Sequence, residues 1–211
     1  MTRGRLITVE GLDGAGKTTV AGALAGALHE RGRAVLVLRE PGGVELSERV
    51  RALVKDPGLE VHPRAEALLY AAARAQLVAQ ELEPRLAGGE WLLLDRFVDS
   101  SLAYQGAGRE LGVEEVRRLN AFATGGLAPD RTLLLRIGAR AGLARAAGRV
   151  EAADRLEREA LPFFETIAAA YDALAAAEPT RIAVIDAEQP ATAVLADCLT
   201  ALEPLLAAQS S

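Results

Sequence analysis

The sequence predicts an α/β fold in which five parallel strands form a sheet covered by helices on both faces. Five short apolar runs alternate with helical patterns along the 211 residues. The runs are almost continuously hydrophobic, which is typical of strands buried on both faces. A glycine-rich stretch joins the first run to the first helix, as expected of a strand–loop–helix unit.

The elements follow in a regular order. The predicted strands are residues 5–10, 34–39, 91–95, 132–137 and 181–186. The predicted helices are residues 18–31, 45–54, 63–86, 113–123, 139–149, 154–177 and 190–207. Pro63 suits the first position of the long third helix, and Pro84 is expected in its last turn or at a bend.

Composition excludes several classes of protein. Half of the residues are hydrophobic, so the chain is not disordered. Lys and Arg total 24 against 29 Asp and Glu, and the net charge of -5 argues against a general nucleic-acid binder. The single cysteine, Cys198, excludes an intrachain disulfide and lies in an apolar helical pattern, where a core position is expected.

The chain shows no targeting or membrane signal. Met1 is followed almost at once by the first strand, so no signal peptide is expected. No apolar run has the length of about 20 residues that a bilayer-spanning helix needs. The expected compartment is therefore the cytoplasm.

Residues 11–18 read G-L-D-G-A-G-K-T and fit the phosphate-binding loop G-x-x-x-x-G-K-[ST]. The glycines let backbone N–H groups turn toward phosphate oxygens, and the following helix points its positive end at them. Lys17 is expected to reach the β- and γ-phosphates, and Thr18 to ligate Mg²⁺. The residues predicted to bind ATP are Gly11, Asp13, Gly14, Ala15, Gly16, Lys17, Thr18 and Thr19.

Charged residues end two of the other strands. Asp95 lies at the end of the third strand, where a metal-side carboxylate belongs. Arg96 beside it and Arg39 at the end of the second strand could hold a second phosphate, or they could be solvated strand-end charges. A GTPase is excluded because the only asparagine, Asn120, precedes Ala121 rather than the lysine of an Asn-Lys-x-Asp element.

Six motifs together resemble the thymidylate kinase family. They are the phosphate-binding loop with Thr19, R-E-P-G-G at 39–43, Y-A-A-A-R-A-Q at 70–76, D-R-F-V-D-S-S-L-A-Y-Q-G at 95–106, P-D at 129–130 and D-R-L-E at 154–157. They occur in order over nearly the whole chain. The resemblance implies a fold like that of the P-loop nucleoside-monophosphate kinases, in a single domain over 1–211 with a lid at about 139–158.

The resemblance implies a role for each matching residue. Arg39 and Arg96 would hold the phosphate of dTMP, and Tyr70 would stack on thymine where phenylalanine is usual. Arg74 would hydrogen-bond the base. The remaining expected dTMP contacts are Ser101 and Gln105 at the base edge, Tyr104 against the deoxyribose, and Asp13 at the sugar hydroxyl.

Gly14 separates two branches of that family. Some members place an arginine at this position, and members without it are expected to supply an arginine from the lid. Arg145 and Arg149 match the lid pair, and the spacing to Asp154 leaves open which of them acts. The expected catalytic residues are thus Lys17, Asp95, Arg96, Arg145 and Arg149, with Thr18 and Asp95 as the metal ligands.

The expected reaction is phosphoryl transfer from ATP with Mg²⁺ to dTMP. The expected partners are these small molecules, with no nucleic acid or membrane, and the resemblance implies a homodimer. One alternative is a deoxynucleoside kinase, whose hydroxyl acceptor would need a base such as Glu40. Another is a non-catalytic nucleotide switch, which would need neither an acceptor pocket nor an arginine lid.

Overall fold

A computed structural model describes residues 3–148 and 154–207. Its strands are β1 Leu6–Glu10, β2 Val35–Arg39, β3 Trp91–Asp95, β4 Arg131–Arg136 and β5 Ile182–Asp186. They form one sheet in the order β2-β3-β1-β4-β5, and every neighbouring pair is parallel. The predicted five-stranded parallel sheet is confirmed.

Helices connect the strands. They are α1 Lys17–Glu30, α2 Glu45–Lys55, α3 Pro63–Leu77, α4 Glu83–Ala87, α5 Val98–Ser101, α6 Val113–Thr124, α7 Ala139–Ala147, α8 Leu161–Ala177 and α9 Ala191–Ala207. Two π-helical segments, Val78–Leu82 and Leu102–Gly108, extend α3 and α5 without a break. Within the described ranges, no helix combines the length and apolar character needed to cross a membrane.

Strand β3 shows that the sheet is covered on both faces. Leu93 belongs to the large hydrophobic cluster that also contains Leu24 and Leu28 of α1. The alternate residues Leu92 and Leu94 belong to a second cluster, which the helical run from α3 to α4 completes. Successive side chains of a strand point to opposite faces, so each face of β3 has its own hydrophobic cover.

The long third helix is less regular than predicted. Instead of one α-helix over 63–86, the chain forms α3, the π-helical segment Val78–Leu82 and α4, which ends at Ala87. Pro84 lies in the first turn of α4. Proline has no N–H to donate and its ring clashes with the carbonyl four residues earlier, so the wider π turn just before it relieves a contact that an α-helix would force.

The prediction of a helix over 154–177 was wrong at its start. Residues 154–160 form turns, and α8 begins only at Leu161, with Pro162 in its first turn. The carboxylate of Asp154 accepts the backbone N–H groups of Leu156 and Glu157, both at 3.0 Å. These side-chain bonds compete with helical hydrogen bonds and stabilise a turn.

The carboxyl ends of the central strands meet at one edge of the sheet. The parallel register places Asp95 beside Val9 on one side and Arg39 on the other. The phosphate-binding loop leaves β1 at the same edge, immediately after Glu10. Loops at this edge of an open α/β sheet are where ligands bind.

Candidate active site

The phosphate-binding loop carries the chain from β1 into α1. Gly16 takes the N-cap position of α1 in a left-handed conformation, with φ of 88°. No side chain caps this helix, and its first turn holds no acidic residue. The orphan N–H groups and the positive end of the helix dipole are therefore directed at the loop, as in an anion-binding site.

Gly14 packs directly against helix α7. A Cβ atom at Gly14 would lie 2.1 Å from the carbonyl oxygen of Gly142, and its φ of +82° is one that other residues rarely adopt. Gly142 also packs tightly, since a Cβ there would lie 2.8 Å from the carbonyl oxygen of Asp13. With α7 in this position, no arginine fits in place of Gly14, which gives a physical reason for glycine at this position.

Lys17 lies buried beneath the loop. Its Nζ donates to the carbonyl oxygens of Leu12 at 2.8 Å and Gly11 at 3.1 Å, and it lies 3.8 Å from Oδ1 of Asp13. Burial, and then the neighbouring Arg96, lower the pKa of Lys17 to about 8. An anionic phosphate would oppose both effects and favour the charged ammonium.

Thr18, in the first turn of α1, lies next to Asp95 at the end of β3. The Thr18 hydroxyl donates to Oδ2 of Asp95 at 2.7 Å. Both groups are hard oxygen donors, the kind that Mg²⁺ prefers, and both line the same cleft. Within 3–148 and 154–207, no group of three or more His, Cys, Asp or Glu side chains could hold a metal ion. This pair thus fits a Mg²⁺ ion that takes its other ligands from phosphates and water.

Arg96 is the centre of a polar cluster at the same edge. It donates to Oδ1 of Asp13 at 2.6 Å, to Ser100 Oγ at 3.0 Å and to the Tyr104 hydroxyl at 3.3 Å. Tyr104 in turn donates to Oδ2 of Asp13 at 3.0 Å. Burial would raise the pKa of Asp13, but Arg96 and Lys17 hold it well below its usual range. Asp13 is therefore ionised.

The backbone of Arg96 is strained. Its φ of 71° lies in the left-handed region, which is uncommon for a residue with a side chain. Such conformations cost about 1–3 kcal/mol and concentrate at functional sites. The guanidinium lies against the phosphate-binding loop, where it also donates to the carbonyl oxygen of Gly11 at 3.2 Å.

One cleft of about 720 Å³ contains most of the predicted site residues. Those lining it are Asp13, Gly14, Gly16, Lys17, Thr18, Thr19, Arg39, Tyr70, Arg74, Asp95, Arg96, Ser101, Tyr104, Gln105 and Arg145. Gly11 and Ala15 belong to the loop but do not line the cleft. Arg149, the other predicted lid arginine, lies outside the described residues. The cleft has the size of a typical small-molecule site.

Arg39 and Arg145 lie at different parts of this cleft. Arg39 is 55% exposed and pairs with Glu48, whose carboxylate oxygens lie 2.9 and 3.0 Å from Nη2. Arg145 donates to the carbonyl oxygen of Ala187, just after β5, at 2.8 Å. An exposed ion pair contributes little stability, so Arg39 is well placed to exchange Glu48 for another anion.

Arg74 is held from several sides in the interior. It donates to Oε2 of Glu40 at 2.7 Å, to Ser101 Oγ at 2.9 Å, to the carbonyl oxygen of Phe97 at 2.9 Å, and to Asn120. Its Nη2 also lies 2.6 Å from Glu40. Burial raises the pKa of Glu40, although Arg74 opposes the shift. Arg74 thus organises the wall of the cleft as well as lining it.

Some polar groups near the cleft were not predicted from the sequence. Glu10 accepts from Phe97 N at 2.7 Å, from Ser100 Oγ at 2.5 Å and from the Tyr171 hydroxyl at 3.0 Å. Burial, and then the neighbouring Asp99, raise the pKa of Glu10 to about 7. The available signal was an acidic residue ending an otherwise apolar strand immediately before the phosphate-binding loop.

Two further cations line the cleft from α2. Arg51 donates to the carbonyl oxygen of Pro41 at 3.0 Å, and Lys55 pairs with Asp154 at 2.9 Å. Their spacing of four residues places them on one face of α2, a pattern visible in the sequence. The cleft is therefore more strongly cationic near Arg39 than predicted.

Fold and cleft define the class of protein. Nucleoside-monophosphate kinases bring a donor and an acceptor phosphate together at the carboxyl edge of a parallel sheet, and this chain shares that architecture. It is a P-loop phosphotransferase of the nucleoside-monophosphate-kinase type.

The comparisons with known proteins narrow the class to one family. A family model described as Thymidylate kinase matches residues 9–198. A thymidylate kinase from Deinococcus radiodurans is 50% identical over 190 residues, which cover 90% of this chain and 92% of that protein. One from Alkalilimnicola ehrlichii is 48% identical over 210 residues, covering 98% and 94% of the two chains. The chain belongs to the thymidylate kinase family.

This membership removes an alternative left open by the sequence. The deoxynucleoside kinase hypothesis finds no support among these relatives. The geometry agrees, because Glu40, the base it would require, is buried and bound by Arg74. A carboxylate committed to a guanidinium is poorly placed to take a proton from a hydroxyl.

Proposed function

We propose that this protein transfers the γ-phosphoryl group of ATP to dTMP, which yields dTDP and ADP. The observation that carries the proposal is a single cleft with a phosphate-binding loop at one end and a buried polar wall at the other. Lys17, Thr18 and Asp95 belong to the donor end. Family membership supplies the identity of the acceptor as thymidylate.

The donor end would hold the ATP phosphates. Backbone N–H groups at the start of α1 and the ammonium of Lys17 would contact the β- and γ-phosphate oxygens. Thr18 and Asp95 would hold Mg²⁺ together with those oxygens, because their own oxygens already lie 2.7 Å apart. When bound, Mg²⁺ neutralises charge on the phosphates.

The acceptor end would hold dTMP. Arg39 and Arg96 would contact its phosphate, and Tyr104 with Asp13 would lie against the sugar. Tyr70, Arg74, Ser101 and Gln105 would surround the base. That arrangement is supported by their common position around one cleft, and by the ordered network that fixes Asp13, Arg96 and Tyr104.

The reaction as proposed needs no general base. The second phosphate pKa of a monophosphate is about 6, so the acceptor oxygen already carries its charge at neutral pH. The difficulty is that two anions must meet, which calls for fixed positive charge and exclusion of water. Lys17 and Arg96 would supply charge on the two sides of the transferring group.

We also propose that residues 139–158 act as a lid in a single-domain enzyme. Arg145 or Arg149 would bring a further positive charge to the transferring phosphoryl group. The close contact between Gly14 and Gly142 supports this role, since it fixes α7 against the phosphate-binding loop. An arginine that acts mainly in the transition state should affect kcat more than either KM.

A homodimer in the cytoplasm completes the proposal. Exposed apolar side chains lie on α2, α3 and α6, namely Leu46, Leu53, Leu68 and Phe122, and Phe122 is 90% exposed. A second copy of the chain covering this surface would remove them from water. Sedimentation of the protein with and without Phe122→Glu tests the dimer, and cell fractionation tests the compartment.

Turnover with ATP and dTMP is the direct test of function. We expect Lys17→Ala to abolish turnover while dTMP affinity, measured by calorimetry, stays nearly unchanged, because Lys17 belongs to the donor end. If the wild-type protein shows no turnover, the proposed enzymatic activity is refuted and a non-catalytic nucleotide switch is left as the alternative. A large loss of dTMP affinity in the variant would refute the division of the cleft.

A further inference from the structure

A buried carboxylate holds the side-chain amide of Gln105. Glu66, in the first turn of α3, is fully buried, and Gln105 is 2% exposed. Nε2 of Gln105 donates to Oε1 of Glu66 at 2.8 Å. The pair connects α3 to the π-helical segment Leu102–Gly108 beside the acceptor end of the cleft.

This contact fixes which end of the amide faces the cleft. An ionised carboxylate only accepts hydrogen bonds, so it must meet the nitrogen of the amide and not the oxygen. The Gln105 oxygen is thereby turned away from Glu66. Among the described residues, no donor contacts this oxygen, and Gln105 lines the cleft. The wall therefore offers an acceptor at this point.

Two arginines hold the Glu66 carboxylate in place. Arg109 lies 3.3 Å from Oε2, and Arg155 forms a closer ion pair with the same oxygen. Arg109 is itself bound to Glu159 at 2.6 Å, and Arg155 donates to the carbonyl oxygen of Val54 at 3.0 Å. Since each guanidinium has a second anchor, the carboxylate is fixed in position.

Arg74, another buried polar group at this wall, has little donor capacity to spare. Arg74 makes four hydrogen bonds and a further ion-pair contact within the protein, to Glu40, Ser101, Asn120 and Phe97. A guanidinium has five N–H donors in all. Ser101 also lines the cleft, but its hydroxyl can donate or accept and so does not fix one polarity. Gln105 has an oxygen that is uncommitted in the described structure and an amide whose orientation is fixed, so it can discriminate by hydrogen-bond polarity.

We propose that Glu66 is a positioning residue for base selection, which holds the Gln105 oxygen toward the N3–H group of thymine. The inference rests on the proposed function, because it assigns part of the dTMP site. Cytosine has a lone pair at N3, which would face the carbonyl oxygen and leave both acceptors unpaired. Uracil has the same N3–H as thymine, so this contact distinguishes bases by the N3 group and not by the methyl group.

The test is the variant Glu66→Gln with three acceptors. A glutamine at position 66 can also donate, so the Gln105 amide is free to turn its nitrogen toward the cleft. We expect the ratio of kcat/KM for dTMP over dCMP to fall at least about tenfold, the loss of one oriented hydrogen bond in a buried site. The ratio for dTMP over dUMP should stay unchanged.

Two further variants separate positioning from general damage. Glu159→Gln breaks the outer pair with Arg109 but leaves Arg155 on Glu66 and the contact between Glu66 and Gln105, so both ratios should stay at their wild-type values. Gln105→Met removes the amide while keeping a side chain of similar length. If Glu66 acts through Gln105, then adding Glu66→Gln to Gln105→Met should not change the dTMP to dCMP ratio further.

Several outcomes would overturn the inference. If Glu66→Gln lowers kcat/KM equally for dTMP, dUMP and dCMP, Glu66 has only a structural role. If Glu66→Gln fails to fold, NMR of the wild-type protein provides the test. The side-chain amide protons of Gln105 are assigned by their loss in Gln105→Met. We expect these protons to exchange slowly before dTMP is added. Rapid exchange would overturn the inference alone. No turnover of dTMP by the wild-type protein would overturn both proposals.

Discussion

Replacing Arg74 with methionine should lower the free energy of unfolding by about 3–5 kcal/mol. The arginine is 2% exposed and donates to Glu40, Ser101, Asn120 and the carbonyl oxygen of Phe97. Glu40 is buried as well, so the variant leaves a carboxylate without its counter-charge. Removing one partner of a buried ion pair typically costs about 3–5 kcal/mol.

Urea unfolding can measure this loss with an intrinsic probe. Trp91 is the only tryptophan and is buried in β3. With a denaturant slope of about 2 kcal/mol per molar urea, the midpoint should fall by about 2 M. The double variant Arg74→Met with Glu40→Gln should regain about 2 kcal/mol or more, because an amide replaces the buried charge.

The pH dependence provides a second signature. The folded-state pKa of Glu40 is already raised by burial, and loss of Arg74 should raise it further. A raised carboxyl pKa favours the folded state at low pH, so the loss in Arg74→Met should shrink as the pH falls from 8 to 5.5. A loss below about 1 kcal/mol, or a double variant no more stable than the single one, would refute this account of the pair.

Two further predictions concern the donor end, and a third concerns the contribution of Glu10 to stability. Asp95→Asn should raise the Mg²⁺ concentration needed for half-maximal activity at least about tenfold, while dTMP affinity stays unchanged. An unchanged Mg²⁺ requirement would contradict the assignment of Asp95 as a metal ligand. ATP binding at pH 8.5 should be accompanied by proton uptake, because the phosphates raise the pKa of Lys17 from about 8. Calorimetry in buffers with different heats of ionisation measures this uptake. Lys17→Met should show less proton uptake than the wild type. Burial raises the pKa of Glu10 from an ordinary 4.5 to about 7, so its contribution to stability is full at low pH and is lost as the pH rises through 7. Wild type should lose about 2–3 kcal/mol relative to Glu10→Gln between pH 5 and 8 in urea unfolding, and parallel pH profiles would contradict it.

The parts of the fold that the sequence predicted are those set by periodicity and by stop signals. Continuous apolar runs identified all five strands to within a residue at each end, because strands buried on both faces have few polar positions. The π-helical segments and the turns at 154–160 were not predicted. They depend on where Pro84 and the carboxylate of Asp154 fall relative to the hydrogen-bond ladder, which periodicity does not resolve.

The site was predicted as a set of residues and not as a network. The phosphate-binding motif identified most cleft-lining positions of its loop, and the family resemblance identified most of those in α5 with its π-helical extension. The partners were missed because they come from distant parts of the chain. Glu66 binds Gln105 39 residues away and Arg155 89 residues away, and no local pattern connects them. Such contacts are fixed only when α3 and the 154–160 turns pack together.

The cations expected to meet phosphate differ in how firmly the protein already holds them. Arg39 pairs with Glu48 at the surface, where both side chains are more than 40% exposed and solvent weakens their attraction. Arg96 pairs with Asp13 in a largely buried cluster that also includes Tyr104 and Ser100. A dTMP phosphate could therefore displace Glu48 from Arg39 at little cost, whereas Arg96 would keep Asp13 and accept the phosphate in addition. On this basis we expect Arg39 to be the adjustable phosphate contact and Arg96 the fixed one, and the strained backbone of Arg96 is consistent with a position that does not move.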